Sequence, residues 1–178
     1  MRKSALQLNL FGTEEDSRSY TCCFAGHRQI TGKSFNENEN FDYIKRRTEE
    51  EILRAIELGY KNFISGMALG FDMLCAEIIL ELKEKFSFIK LFCALPCNEQ
   101  EKLWKESQKE RYFNILEKAD KIVCLQPEYS RGCMQKRNKF MIDNSSYLIA
   151  FYTGVSGGTK QTIEYALKNG LKIVTFSC

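Results

Sequence analysis

The sequence predicts a three-layer α/β fold, with a mostly parallel six-stranded sheet and helices on both faces. Three observations predict it. Short apolar runs rich in β-branched residues alternate with longer amphipathic stretches, as strands and covering helices do when they take turns along a chain. Most of those runs are apolar throughout, which is the pattern of strands buried on both faces. The 178 residues suffice for one domain with its own core and leave no room for a second.

The strands are expected at 20–25, 61–65, 88–94, 121–126, 147–152 and 172–176. Between the first two, Ile44, Thr48, Ile52, Ala55 and Ile56 recur at helical spacing, while Lys45, Arg46, Glu49 and Glu50 take the other face. Gly59 stops that helix and Gly170 stops the last one, because a left-handed terminal residue costs glycine no Cβ clash. The remaining helices are expected at 71–85, 99–119, 134–144 and 159–169, and the polar stretch 36–40 reads as a loop. Trp104 and Tyr112, eight apart on the helix expected at 99–119, read as packing residues, with Trp104 also a candidate to stack on a base. Residues 1–19 read as a loose or docked arm ahead of a Rossmann-like domain spanning 20–178. The arm's apolar patch at 6–11 lacks the unbroken core and cleavage site of a secretion signal. No apolar run approaches the roughly 18 to 20 residues of a membrane span, so the expectation is a cytoplasmic protein without membrane contact.

Eight cysteines fall mostly inside the expected strands and helices without a Cys-x-x-Cys pair, which predicts reduced, buried thiols. Cys93 and Cys97 bracket three residues, but only His27 could join them, so no metal site is expected. The net charge of +3, from 26 basic and 23 acidic residues, is too small to imply a nucleic-acid surface. The run Lys45-Arg46-Arg47 is followed by three glutamates and reads as helix-surface pairing.

In an open parallel sheet, ligands bind beyond the carboxyl ends of the strands, where helix N-termini present unpaired amides. Three loops there are rich in glycine and small residues: Gly26-His27-Arg28; Ser65-Gly66-Met67-Ala68-Leu69-Gly70-Phe71-Asp72; and Gly154-Val155-Ser156-Gly157-Gly158-Thr159. Chain without Cβ turns tightly and brings its amides close to an oxyanion. Thr159 also reads as a cap for the helix it opens. His27 and Arg28, directly after a buried strand, have little packing reason to be there, and both can donate to phosphate. Asp72 suits the start of a helix with or without a ligand. The string from Gly26 to Gly32 does not match G-x-G-x-x-G, which argues against a conventional NAD dehydrogenase.

Five ordered blocks carry a resemblance: 22–28, 63–72, Ala94-Leu95-Pro96-Cys97, Gly132-Cys133-Met134-Gln135-Lys136-Arg137-Asn138, and Gly157-Gly158-Thr159. Together they resemble the SLOG superfamily, in particular its YpsA-like branch of small bacterial and phage-borne proteins. The second block is similar to the Ser-Gly-x-Ala-x-Gly-x-Asp segment of DprA. The later blocks are similar to LOG proteins, which remove the base from nucleoside monophosphates. That likeness places Arg137 on the LOG arginine and Glu164 on the LOG glutamate. Lys160 and Ser156 depart from the LOG pattern at its third glycine and its proline, and Lys160 reads as a solvated charge.

The resemblance implies binding or sensing of a phosphate-bearing, nucleotide-derived ligand such as ADP-ribose, NAD or a nucleoside monophosphate. Gly26, His27, Arg28, Ser65, Gly66, Gly70, Asp72, Pro96, Arg137, Asn138, Gly157, Gly158 and Thr159 are the expected ligand contacts. An alternative is a LOG-like N-glycosidase using Arg137 and Glu164, with Arg137 paired to Glu164. A further alternative is DprA-like binding of single-stranded DNA, which the near-neutral charge disfavours. No cofactor is expected, and a homo-oligomer is implied by the resemblance alone.

Overall fold

Successive residues of a strand point to opposite faces of its sheet, and the core of this protein divides along that rule. In a computed structural model, which describes residues 17–30 and 37–178, Cys22 and Phe24 enter one hydrophobic cluster and Cys23 and Ala25 the other. Leu91, Cys93 and Leu95 likewise separate from Phe92 and Ala94. Both faces are therefore covered, as the uniformly apolar runs predicted.

The strands are β1 (Thr21–Ala25), β2 (Asn62–Ser65), β3 (Lys90–Leu95), β4 (Lys121–Cys124), β5 (Tyr147–Phe151) and β6 (Lys172–Phe176). They form one all-parallel sheet in the order β4-β3-β2-β1-β5-β6. The helices are α1 (Glu37–Glu57), α2 (Phe71–Leu82), α3 (Glu106–Lys118), α4 (Cys133–Asp143) and α5 (Gly158–Lys168). Side chains of α1, α2 and α3 fill the first cluster, and those of α4 and α5 the second, giving three layers. The chain leaves β1 toward β2 on one side and returns from β4 to β5 on the other. Beyond β1 and β5 the connecting loops diverge, opening the crevice where such sheets bind ligands.

The α1 stripe is buried as expected, from Ile44 to Ile56. Arg47 pairs with Glu50 at 3.0 Å and with the buried Glu51 at 2.5 Å. Gly59 and Gly170 have φ of 94° and 71°, the left-handed stops read from the sequence. All eight cysteines are free thiols, six of them buried. Burial pushes Cys23 and Cys93 up to about 12, which keeps both protonated and unreactive.

Several boundaries differ from expectation, among them the end of the second helix at Leu82 instead of residue 85 and the start of β3 at Lys90 instead of residue 88. Residues 37–40 belong to α1, not to a loop; Asn36, like most of the arm, lies outside the described residues. The third helix starts at Glu106 instead of residue 99, because Glu99 is left-handed (φ 57°) and Lys105 is extended (φ −67°, ψ 152°). Trp104 thus sits ahead of α3, packed edge-on against Tyr112 with ring centroids 5.3 Å apart. The fourth strand ends at Cys124, where the Gln126 side chain turns to donate to the Glu128 carbonyl and to Ser130 Oγ. None of the described helices is long and apolar enough to cross a membrane.

Candidate functional site

A cleft of about 310 Å³ opens at the carboxyl ends of β1 and β5. Its floor is the end of β1, Phe24 and Ala25, running into Gly26, His27 and Arg28. Gly26 has no room for a side chain, since a Cβ there would overlap the Phe71 ring. The His27 carbonyl accepts from the Phe71 amide at 3.2 Å, which ties this loop to the start of α2. Its imidazole has the packing role that sequence reading denied it. Nε2 accepts from the Thr153 amide at 3.2 Å and lies 3.0 Å from Thr153 Oγ1, so the proton belongs on Nδ1. The ring packs edge-on to Phe151 and stacks near Tyr152, bridging the loops after β1 and β5. Arg28 is exposed and makes no side-chain hydrogen bond or ion pair among the described residues.

The loop after β2 builds the wall. Ser65 Oγ donates to the Asp72 carbonyl at 2.8 Å and accepts from the Met67 amide at 3.1 Å, folding the loop back on the start of α2. Gly70, at φ 85°, lies where a Cβ would overlap the Arg28 carbonyl. Ser65, Gly66 and Gly70 therefore shape the cleft from behind, while Ala68 and Asp72 line it.

From α4 come Met134, Arg137 and Asn138. Arg137 is 4% exposed. Its Nη1 donates to the Gly66 carbonyl and its Nε to Asn138 Oδ1 at 2.8 Å, with Asp72 Oδ2 3.8 Å from Nη1. Burial pushes the Asp72 carboxyl up and the Arg137 guanidinium down; their mutual attraction, the Ala68 amide and Arg28 hold Asp72 back toward ionisation. From α5 come Gly158, Thr159 and Thr162. No side chain caps α5, so Thr159 does not serve as the expected cap. Instead Thr162 Oγ1 donates to the Gly158 carbonyl at 2.8 Å and accepts from Asn138 Nδ2 at 3.0 Å, locking α5 to α4.

Eight of the expected residues thus meet around one cleft: Gly26, His27, Arg28, Asp72, Arg137, Asn138, Gly158 and Thr159. Gly157, the exposed residue before α5, and Pro96, two strands from the crevice, are not among its lining. The expected pair of Arg137 with Glu164 does not form. Glu164 is 55% exposed and lies 3.9 Å from Lys160, because the fifth residue after Thr159 falls on the solvent side of α5. Sequence reading missed Phe24, Ala25, Ala68, Met134 and Thr162. Helical spacing held the signal for two of them: Met134 precedes Arg137 by three residues and Thr162 follows Gly158 by four. A second, shallower depression of about 650 Å³ shares His27 and Arg28 and is walled by Ile30, Phe151 and Val155. Among the described residues, no three His, Cys, Asp or Glu side chains converge as metal ligands.

The model of the YpsA family, described as the YspA SLOG family, matches residues 22–174. The chain belongs to this SLOG family. The SPbeta prophage-derived protein YoqJ of Bacillus subtilis is 37% identical over 121 residues, 61% of this chain and 71% of YoqJ. A UPF0398 protein of Brevibacillus brevis is 32% identical over 133 residues, covering 73% of this chain and 71% of that protein. Among solved structures, DNA processing protein A of Helicobacter pylori, described for its single-stranded DNA binding mode, superposes with a TM-score of 0.61 at 17% identity and covers 89% of this chain. That likeness is one of fold. The SLOG chain spans 65% of the Helicobacter protein and 63% of a UPF0398 protein of Halalkalibacterium halodurans.

Proposed function

We propose that this SLOG protein binds a phosphate-bearing, nucleotide-derived ligand, of the ADP-ribose, NAD or nucleoside monophosphate type, in the cleft beyond β1 and β5. One observation carries the reading: α5 starts at the cleft with no side-chain cap, so its first amides and positive dipole end face open space. No atom lies within 4 Å of where a Cβ on Gly157 or Gly158 would stand, so a phosphate can approach the backbone directly. Arg28, exposed at the same cleft, adds a fork suited to phosphate oxygens.

Titration by calorimetry and thermal shift with AMP, ADP-ribose, NAD, inorganic phosphate and an oligothymidylate tests the reading. Saturable stabilisation by a mononucleotide or dinucleotide is expected, reaching about 2.7 kcal/mol at a hundred times the dissociation constant. Arg28→Ala weakens that binding about tenfold or more, as loss of a charge-assisted hydrogen bond does. Silence from every phosphate compound overturns the proposal. Binding of the oligothymidylate alone, steeply weakened by salt, replaces it with a DNA-binding role like that in the description of the Helicobacter protein.

Base removal through Glu164 draws no support from a carboxylate that is exposed and paired with Lys160. Glu164→Gln is expected to leave affinity for AMP within about twofold, the scale of a surface substitution. A larger loss, or the disappearance of released base in a chromatographic assay, would restore Glu164 to the site.

A further inference from the structure

Asp72 is the one carboxylate among the described residues that line the cleft, and a site for phosphate has no use for a bare anion. Pairing with Arg137 accounts for Oδ2 and leaves Oδ1 without a partner among the described residues. Arg137 Nη1 stands 3.8 Å from Oδ2, beyond the roughly 2.7 to 2.9 Å of a charge-assisted hydrogen bond, while the guanidinium's Nη1 and Nε donate to the Gly66 carbonyl and Asn138. The Ala68 amide reaches Oδ2 at a long 3.4 Å. Oδ1 accepts no hydrogen bond among the described residues, yet it is not sealed away; among those residues the buried side-chain atom without a partner is Ser145 Oγ. Asp72 itself lines the cleft, which leaves Oδ1 free to accept from a ligand there. An ionised carboxylate accepts about four hydrogen bonds, and leaving a buried one underused is costly.

The other polar groups around the cleft are chiefly donors: Arg28, Arg137, the amides of α5 and the Thr159 hydroxyl. They suit a phosphate, which brings acceptors. Asp72 calls instead for a ligand hydroxyl or N–H. The cleft, at about 310 Å³, is at the small end of ligand sites, so what lies beside a seated phosphate is the sugar and not a distant base. We propose that Asp72 accepts a hydrogen bond from a ribose hydroxyl, making the site selective for ribonucleotides over deoxyribonucleotides. This rests on the phosphate-binding reading above. It also sets the site against a DNA strand, which lacks the 2′ hydroxyl and has its internal 3′ oxygens esterified.

The test compares AMP with 2′-deoxy-AMP and 3′-deoxy-AMP, and ADP-ribose with its 2′-deoxy analogue, by calorimetry on the full chain. Loss of one hydroxyl is expected to weaken binding about tenfold or more, and the analogue that loses more identifies the hydroxyl. In Asp72→Asn the ribonucleotide weakens toward its deoxy analogue, so the ratio between them collapses. Asp72→Glu, which keeps the charge but moves it by a methylene, changes that ratio too and serves should the asparagine variant not fold. Deoxy analogues binding within about twofold of their parents overturn the inference and leave the phosphate-binding reading standing. So does an Asp72→Asn variant that weakens ribo and deoxy ligands equally, which would make Asp72 a positioning residue for Arg137. If neither AMP nor ADP-ribose binds, the phosphate-binding reading for these ligands fails, and the inference falls with it.

Discussion

Alanine at Gly70 is expected to lower the unfolding free energy by about 2 to 5 kcal/mol, combining a left-handed backbone penalty of about 1 to 2 with overpacking of about 1 to 3. The residue sits at φ 85° immediately before α2, and its missing Cβ leaves the space that the carbonyls of His27 and Arg28 occupy. Backbone atoms cannot rotate out of the way as a side-chain tip can. The same His27 carbonyl holds the Phe71 amide, so relief of the clash would pull the loop after β1 off the start of α2. For a domain of this size each kcal/mol shifts the melting temperature by about 2 to 4 °C, so urea titration and thermal melts both resolve the effect. Gly158→Ala is the matched control: it lies in a helix with open space around it and should change stability by less than about 1 kcal/mol. Equal effects of the two substitutions would refute the steric account.

Arg137→Ala should cost about 3 to 5 kcal/mol, because it strands a buried carboxylate. With the guanidinium gone, Asp72 keeps a long contact from Ala68 and a distant Arg28. Its carboxyl, already raised by burial, rises further. A folded-state value above the unfolded one means that the folded form holds the proton more tightly, so stability is greatest at low pH and is lost as pH climbs through the folded value. The deficit of the variant relative to the parent therefore widens as pH rises above the ordinary carboxylate range, which melts at several pH values would show. A deficit independent of pH would mean that Asp72 is not the source. Pairing the change with Asp72→Leu removes the stranded charge, and the double variant should regain much of the lost stability while binding no nucleotide.

The layered architecture was legible because it rests on local periodicity. Ile44 to Ile56 mark one face of α1, and β1, β2, β3 and β5, apolar at their centres and buried along nearly all their length, have no polar side to show. Boundaries were harder where no glycine or proline marks them. The stretch 99–119 is amphipathic throughout, yet its first residues are wound as turns by Glu99 and Lys105, neither of which announces an unusual backbone. The polar residues at 37–40 resemble a loop because their sequence carries no apolar periodicity. At the site, glycine-rich strand ends pointed to the right rim, but pairings depended on strand order, which sequence does not carry. His27 bonds to Thr153, distant in sequence and adjacent only because β5 lies beside β1. Arg137 approaches Asp72 because α4 and α2, on opposite layers, meet over the strand ends.

His27 borders both depressions, the smaller cleft and the broader one beside Ile30 and Val155. Held by Thr153 and flanked by two aromatic rings, the imidazole is a partition between two compartments. A molecule confined to the first chamber meets it only as part of that chamber's wall. One long enough to occupy both passes His27 and Arg28, which line the two alike, so the contour of the ligand, and not only its charge, decides how much of it this protein can enclose.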